Sequence, residues 1–261
     1  MKRLILLATL ATFSMPGSFA QTVRELPPSA YELYPTLQEM YGYAVGAYNN
    51  YLIVFGGSIR SDVPELYKGD FPNLDILLID LARKRASAYT SSNLEGTLAE
   101  QASSTGMAYY QQGNTLYLLG GYGYSESEGQ YITFPYLAVI ELDSAIESLI
   151  AGRPFQSDCY QLCDDRLAVF GGLMDSNQDE FFLLNGKFAY KLQPFSDHAQ
   201  YFEDTMEGQA RTFRLKGKGQ SLQLGEFQTW YDLEGFRDHY GPLLPEAIEK
   251  AVQQQIKELE Q

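Results

Sequence analysis

Cysteine, tryptophan and histidine are nearly absent from this 261-residue chain, which has two Cys, one Trp and two His. Two cysteines cannot build the disulfide framework of a small secreted scaffold. Cys159 and Cys163 also fall four residues apart on what reads as one strand, about 13 Å at ~3.3 Å per residue. A disulfide requires about 7 Å or less, so both are expected as free, buried thiols on the same side of that strand. Basic residues are scarce as well: 19 Lys and Arg stand against 33 Asp and Glu, a net charge of −14. Such a chain is repelled by phosphate backbones and anionic membrane surfaces, which excludes nucleic acid as the expected partner. No stretch approaches ~20 continuous apolar residues, so membrane insertion is not expected. Gly-rich phosphate loops, nucleophile elbows and metalloprotease helices are missing too. No catalytic residue, metal or cofactor is therefore assigned.

The N-terminus is present and legible. Lys2 and Arg3 precede an apolar stretch, Leu4 to Phe13, and Ser18-Phe19-Ala20 ends with small residues where a signal peptidase reads. Residues 1–20 are expected to be a signal peptide. The mature chain is then exported and soluble, in the periplasm or beyond.

Three phrases recur. Asn49-Asn50-Tyr51-Leu52-Ile53-Val54-Phe55-Gly56-Gly57 is one, and Gly113-Asn114-Thr115-Leu116-Tyr117-Leu118-Leu119-Gly120-Gly121 is the second. Asp164-Asp165-Arg166-Leu167-Ala168-Val169-Phe170-Gly171-Gly172 is the third. Each joins a polar turn to a mostly apolar run and two glycines, the mark of a repeated supersecondary unit. Residues 21–37, with Pro27, Pro28 and Pro35, read as an irregular lead-in. Repeat units are expected over 38–241. In the first, strands fall at 43–48, 51–55, 74–81 and 85–90. The second has 106–111, 116–119 and 136–142, then a helix over 142–152 capped by Asp143. The third has 158–163, 167–170 and 181–184. Two further strands, 209–215 and 221–230, read as a divergent fourth unit. Residues 242–261 are expected as a C-terminal helix with Ile248, Val252, Ile256 and Leu259 on one face.

Strands that end in Gly-Gly resemble the kelch repeat, over roughly residues 38 to 190. The resemblance implies an all-β propeller, here of about four recognisable blades. Its Gly-Gly pairs lie sixty-four and then fifty-one positions apart, against about 50 residues for kelch. The usual Trp of the last strand is missing from the three units. An incomplete propeller would leave an open sheet edge. That edge or the C-terminal helix could then support a homodimer.

The resemblance implies a binding or scaffolding protein that recognises a protein or glycan ligand through propeller loops. The alternative is a glycan-directed enzyme or a galactose-oxidase-like oxidase using dispersed loop residues. A copper site of that kind would have only His198, His239 and Cys159-Tyr160 to draw on. Asp175 to Asp179 alternates oxygen donors but departs from a calcium loop at Glu180 and Gly186. Loops on a rigid scaffold gather binding residues, and Tyr122 and Tyr124 follow the second Gly-Gly. Counting three past each second glycine selects Arg60, Tyr124 and Asp175, expected on one face of the array. Arg60, Tyr122, Tyr124 and Asp175 are the candidate ligand-binding residues. Gly56, Gly57, Gly120, Gly121, Gly171 and Gly172 are the structural glycines.

Overall fold

The computed structural model describes residues 22–60, 71–91, 94–155 and 159–259. The expected signal peptide, residues 1–20, lies outside them. The described strands form five small antiparallel sheets in a propeller-like arrangement, one more than the four units expected. No described helix is long and apolar enough to cross a membrane.

Before the first unit come α1 (Pro28–Leu33) and a 3-10 turn, so the lead-in is partly helical rather than irregular. The first unit holds β1 (Met40–Tyr41), β2 (Ala44–Tyr48), β3 (Tyr51–Phe55), β4 (Ser58–Ile59), β5 (Phe71–Pro72), β6 (Asp75–Asp80) and β7 (Arg85–Thr90). After α2 (Gly96–Ala102), the second holds β8 (Ala108–Gln112), β9 (Thr115–Leu119), β10 (Tyr122–Ser125), β11 (Gln130–Thr133) and β12 (Tyr136–Glu141). It continues through α3 (Leu142–Ile150) to β13 (Cys159–Cys163). The third holds β14 (Leu173–Asn177), β15 (Glu180–Leu184), β16 (Lys187–Leu192), β17 (Gln200–Thr205), β18 (Ala210–Lys216) and β19 (Gln223–Trp230). Helices α4 (Leu233–Tyr240) and α5 (Glu246–Leu259) end the chain.

Each unit makes one four-stranded meander: β2-β3-β6-β7, β13-β12-β9-β8 and β14-β15-β18-β19. Each also sends out a hairpin between its second and third blade strands. Hairpin β4–β5 pairs with β1, while β10–β11 joins β16–β17 through β11 and β16. These outer hairpins supply the fourth and fifth sheets.

This topology corrects the sequence reading of the third unit. Cys159–Cys163 pairs with β12 and is the fourth strand of the second blade, beyond the helix expected in its place. That helix is not capped by Asp143: its N-cap is Glu141, and the Asp143 amide donates to Asn114 Oδ1. The segment Leu167–Phe170 is no strand, because Asp165–Leu167 is a 3-10 turn and Phe170 only bridges Lys187. Its apolar residues Leu167 and Val169 are there to fill the core between the second and third blades. Gly171-Gly172 precedes the first strand of the third blade, and the turn after its second strand is Asn185-Gly186. Strands β18 and β19 complete this blade instead of forming a fourth. Second strands begin at Tyr51, Thr115 and Glu180, so the true period is sixty-four and then sixty-five residues.

The glycines follow from how the units cross. The amide of Gly57 donates to Ser104 O at 2.9 Å, and that of Gly121 to Val169 O at 2.8 Å. A Cβ on Gly56 would lie 2.0 Å from Ser104 O, and one on Gly120 1.8 Å from Val169 O. At the chain's third such turn no further unit crosses, and Asn185 holds the same left-handed φ, +61°. Asn tolerates that conformation. The Gly-Gly motif thus marks a crowded junction between units.

Four apolar clusters hold the blades, as expected of sheets covered on both faces. Ile53, Phe55 and Leu78 of the first blade meet Leu116, Leu118 and Ile140 of the second. Leu119, Leu137 and Val139 meet Phe181, Leu183 and Phe213 of the third. The far face of the first blade, with Val54 and Ile79, is covered by Leu26, Ala30 and Leu37 of the lead-in. The far face of the third, with Phe182 and Leu184, is covered by Phe236, Ile248, Val252 and Ile256. Leu259, expected on the same buried stripe, is 73% exposed one turn beyond the sheet.

Candidate functional site

The largest of the described clefts lies at the outer sheets. It lies between β4–β5, α2 and β10–β11 and encloses about 740 Å³, within the usual range of ligand sites. Tyr41, Tyr122, Tyr124 and Tyr131 supply its aromatic lining, and Ser58, Thr90, Ser103 and Thr105 supply hydroxyls. Strand alternation explains why the tyrosines gather there. Residues directly opposite in an antiparallel pair share a face. Tyr124 opposes Tyr131, Tyr131 opposes Lys191, and Lys191 opposes Tyr201, which places one row across all four strands of the sheet. The ring centroids of Tyr122 and Tyr131 are 6.0 Å apart and nearly parallel, and Tyr124 meets Tyr131 edge-on at 5.4 Å. Phe195, 78% exposed, lies 5.4 Å from Tyr124.

Burial, with Tyr201, Tyr131 and Glu203 nearby, pushes the Tyr122 phenol well above its ordinary value. Burial and a hydrogen bond to Glu203 push Tyr201 up to about 12. Both phenols stay protonated at neutral pH; that of Tyr201 donates to Glu203, and that of Tyr122 can donate to a ligand. Glu100 of α2 accepts the Glu126 amide through Oε1 at 3.0 Å, while its buried Oε2 has no partner. No described lysine or arginine lines the cleft. Arg60 stands at its margin, its guanidinium 5.8 Å from the Tyr41 ring.

The structure brings Arg60, Tyr122 and Tyr124 to this region, but not Asp175. Counting three past Gly186 reaches Ala189, which is buried with its amide on Thr133 Oγ1. Asp175 sits in β14 beside Arg24, 3.7 Å away, in a separate recess shared with Tyr110. Burial raises its carboxyl despite the Ser176 amide and Arg24. The misplacement follows from taking Gly171-Gly172 as the third copy. Sequence reasoning also missed Tyr131, Tyr41 and Glu100 as lining. Tyr131 was discoverable, since a period-2 pattern across the turn from Tyr124 places it opposite.

The remaining candidates separate. Asp175, Ser176 and Asn177 belong to β14, and Gln178-Asp179 is its hairpin turn, so this stretch is a strand and turn rather than an ion-binding loop. His198 is on an exposed turn before β17, whereas His239 packs on Trp230 at 4.9 Å. Neither Cys159 nor Cys163 is in a disulfide, but Cys163 is exposed, because β13 is an edge strand and not a buried one.

No protein-family model matches this chain, and no curated protein matches it by sequence.

Proposed function

We propose that this chain is an exported, non-enzymatic binding or scaffolding protein that recognises a protein or glycan ligand through the tyrosine-lined cleft. We further propose that it is a divergent kelch-like repeat protein in which each four-stranded unit has gained an outer hairpin. The glycine pair after the second strand supports this, and the hairpin accounts for a period longer than about 50 residues. The propeller-like fold is compatible with a binding role. The observation that carries the functional reading is the cleft itself, where four tyrosines and several hydroxyls line one recess. Fold alone would not suffice, since function rests on the site.

The test is a pull-down from the native envelope with the purified mature chain, run beside Tyr122→Ala and Tyr124→Ala. A ligand retained by the parent and lost by both variants is the expected result. Reproducible hydrolase or oxidase turnover by the parent, abolished in those variants, would replace binding with catalysis.

A further inference from the structure

Building on the binding reading of the cleft, we infer that its ligand is a neutral oligosaccharide, stacked along the tyrosine row rather than held at a single point. Tyr124 and Tyr131 of the cleft begin a row that continues beyond its lining over Lys191 to Tyr201, crossing four strands, or ~14 Å at ~4.8 Å per strand. That span suits a chain of several sugar rings and exceeds what one monosaccharide covers. Pyranose rings offer apolar C–H faces to aromatic rings and hydroxyls to their surroundings. Both partners are present here.

Three kinds of group would meet the hydroxyls. Glu100 Oε2 is an acceptor without a donor, buried at the wall of the cleft. A buried acceptor left unpaired is unfavourable, so a ligand hydroxyl placed there is favoured. The phenols of Tyr122, Tyr124 and Tyr131 line the same space, and their hydroxyls are not used in hydrogen bonds within the described protein. Thr105 adds a further hydroxyl that can donate or accept, whereas that of Ser103 already donates to Ala99 O and meets Ser91 Oγ.

The competing ligands fit less well. An anionic polysaccharide or phosphate would face Glu100 and Glu126 in a chain of net charge −14, against only Lys191 in the row and Arg60 at the margin. An acyl chain would need an apolar tunnel, whereas hydroxyls and carboxylates interrupt this wall. A bound peptide strand would take main-chain bonds from a sheet edge. The tyrosines instead stand on the face of their sheet.

The experiment uses the mature chain, with cellohexaose, maltohexaose and xylohexaose as neutral probes in calorimetry. Polygalacturonate and a lysine-rich peptide serve as the charged probes. At least one neutral hexasaccharide should bind. Tyr124→Ala and Tyr131→Ala should each weaken it about tenfold, as loss of a central aromatic contact does. Glu100→Gln should weaken it less, and a hexasaccharide should bind more tightly than the matching disaccharide. All variants are first matched to the parent by circular dichroism and melting, and Glu100→Gln serves if an alanine variant unfolds. Binding of only a charged probe, lost in Tyr124→Ala, would overturn the sugar assignment and leave the cleft as the site. Neutral-sugar binding unchanged in every variant would overturn the cleft. Failure of all three hexasaccharides to bind would overturn the inference, while the pull-down above still tests the binding reading independently.

Discussion

Gly120 and Asn185 occupy the same turn in successive units, with φ of +65° and +61°, yet they live in different surroundings. At Gly120 the next unit passes so closely that a Cβ would sit 1.8 Å from Val169 O. At Asn185 the side chain has room to accept the Gly208 amide at 3.0 Å. The backbone conformation alone therefore does not demand glycine. What demands it is the neighbouring unit, and the third blade has helices where a neighbour would be. The same contrast separates the two ways in which this fold buries a blade, against another repeat or against a cap.

The largest effect should come from carrying the third-unit residue into the second-unit turn. Gly120→Asn keeps a residue that accepts positive φ, so any loss reports crowding. Because the obstacle is a backbone carbonyl, the cost should reach about 3 kcal/mol, the upper end for overpacked sites. Chemical denaturation of the variant and parent measures it. A variant within 1 kcal/mol of the parent would show that the junction yields easily. Gly56→Asn, against Ser104 O, should behave alike.

The cap comes next. Ile248 and Val252 are fully buried against Phe182 and Leu184, on the face that no fourth blade covers. Ile248→Ala should cost about 3 kcal/mol, the middle of the range for such truncations. Leu259→Ala, one turn on and exposed, should change stability by less than about 0.5 kcal/mol. Equal losses at the two positions would mean that the helix packs differently from its described stripe.

Within the second unit, Gln101 makes a junction of another kind. Its fully buried amide donates to Leu118 O, Gly120 O and Tyr136 O, and its Oε1 accepts from Gln161. Gln101→Leu would take a donor from Leu118 O and Gly120 O and the acceptor from Gln161 Nε2, while Tyr136 O keeps the Gly120 amide, at about 2 kcal/mol. Loss of only a few tenths in thermal or denaturant melts would mean that strand bonds already satisfy the carbonyls.

How far the sequence could reveal all this depends on the same contrast. Apolar runs such as Leu52–Phe55 and Leu116–Leu119 announced blade strands because both faces of each sheet are buried. The stripe Ile248, Val252 and Ile256 announced a helix with one face to bury. The third unit misled because Leu167 and Val169 are apolar for packing between blades, not for pairing, and because Asn185 replaces a glycine that only a neighbour requires. Of the candidate site, Arg60, Tyr122 and Tyr124 were legible from position after a strand end. Glu100 and Tyr41 were not, since they reach the cleft from elements whose placement no local pattern encodes.

A smaller effect tests the residue displaced by that misreading. Burial raises the Asp175 carboxyl, so the folded state holds its proton more tightly than the unfolded state. Its ionised form is then a liability above the folded value, and that liability fades as pH falls below it. Asp175→Asn should melt slightly above the parent at pH 7 and converge with it near pH 3. A variant less stable than the parent at pH 7 would show that pairing with Arg24 outweighs burial.

The smallest effect is the reciprocal of the first. Asn185→Gly relieves a left-handed φ, which favours glycine by up to about 1 kcal/mol. It also removes the acceptor for the Gly208 amide, a part-buried bond of about the same size. The two terms oppose, so stability should move by less than about 0.5 kcal/mol, although the turn is equivalent to Gly120-Gly121. Asn185→Ala separates them, because it loses the bond and keeps the strain, and it should cost about 1–2 kcal/mol. If Asn185→Gly proved as costly as Gly120→Asn, the turn would be fixed by its own hydrogen bonds and not by the presence of a neighbouring unit. A near-zero change, beside a large loss at Gly120, would identify contact between units as the reason glycine appears in this repeat.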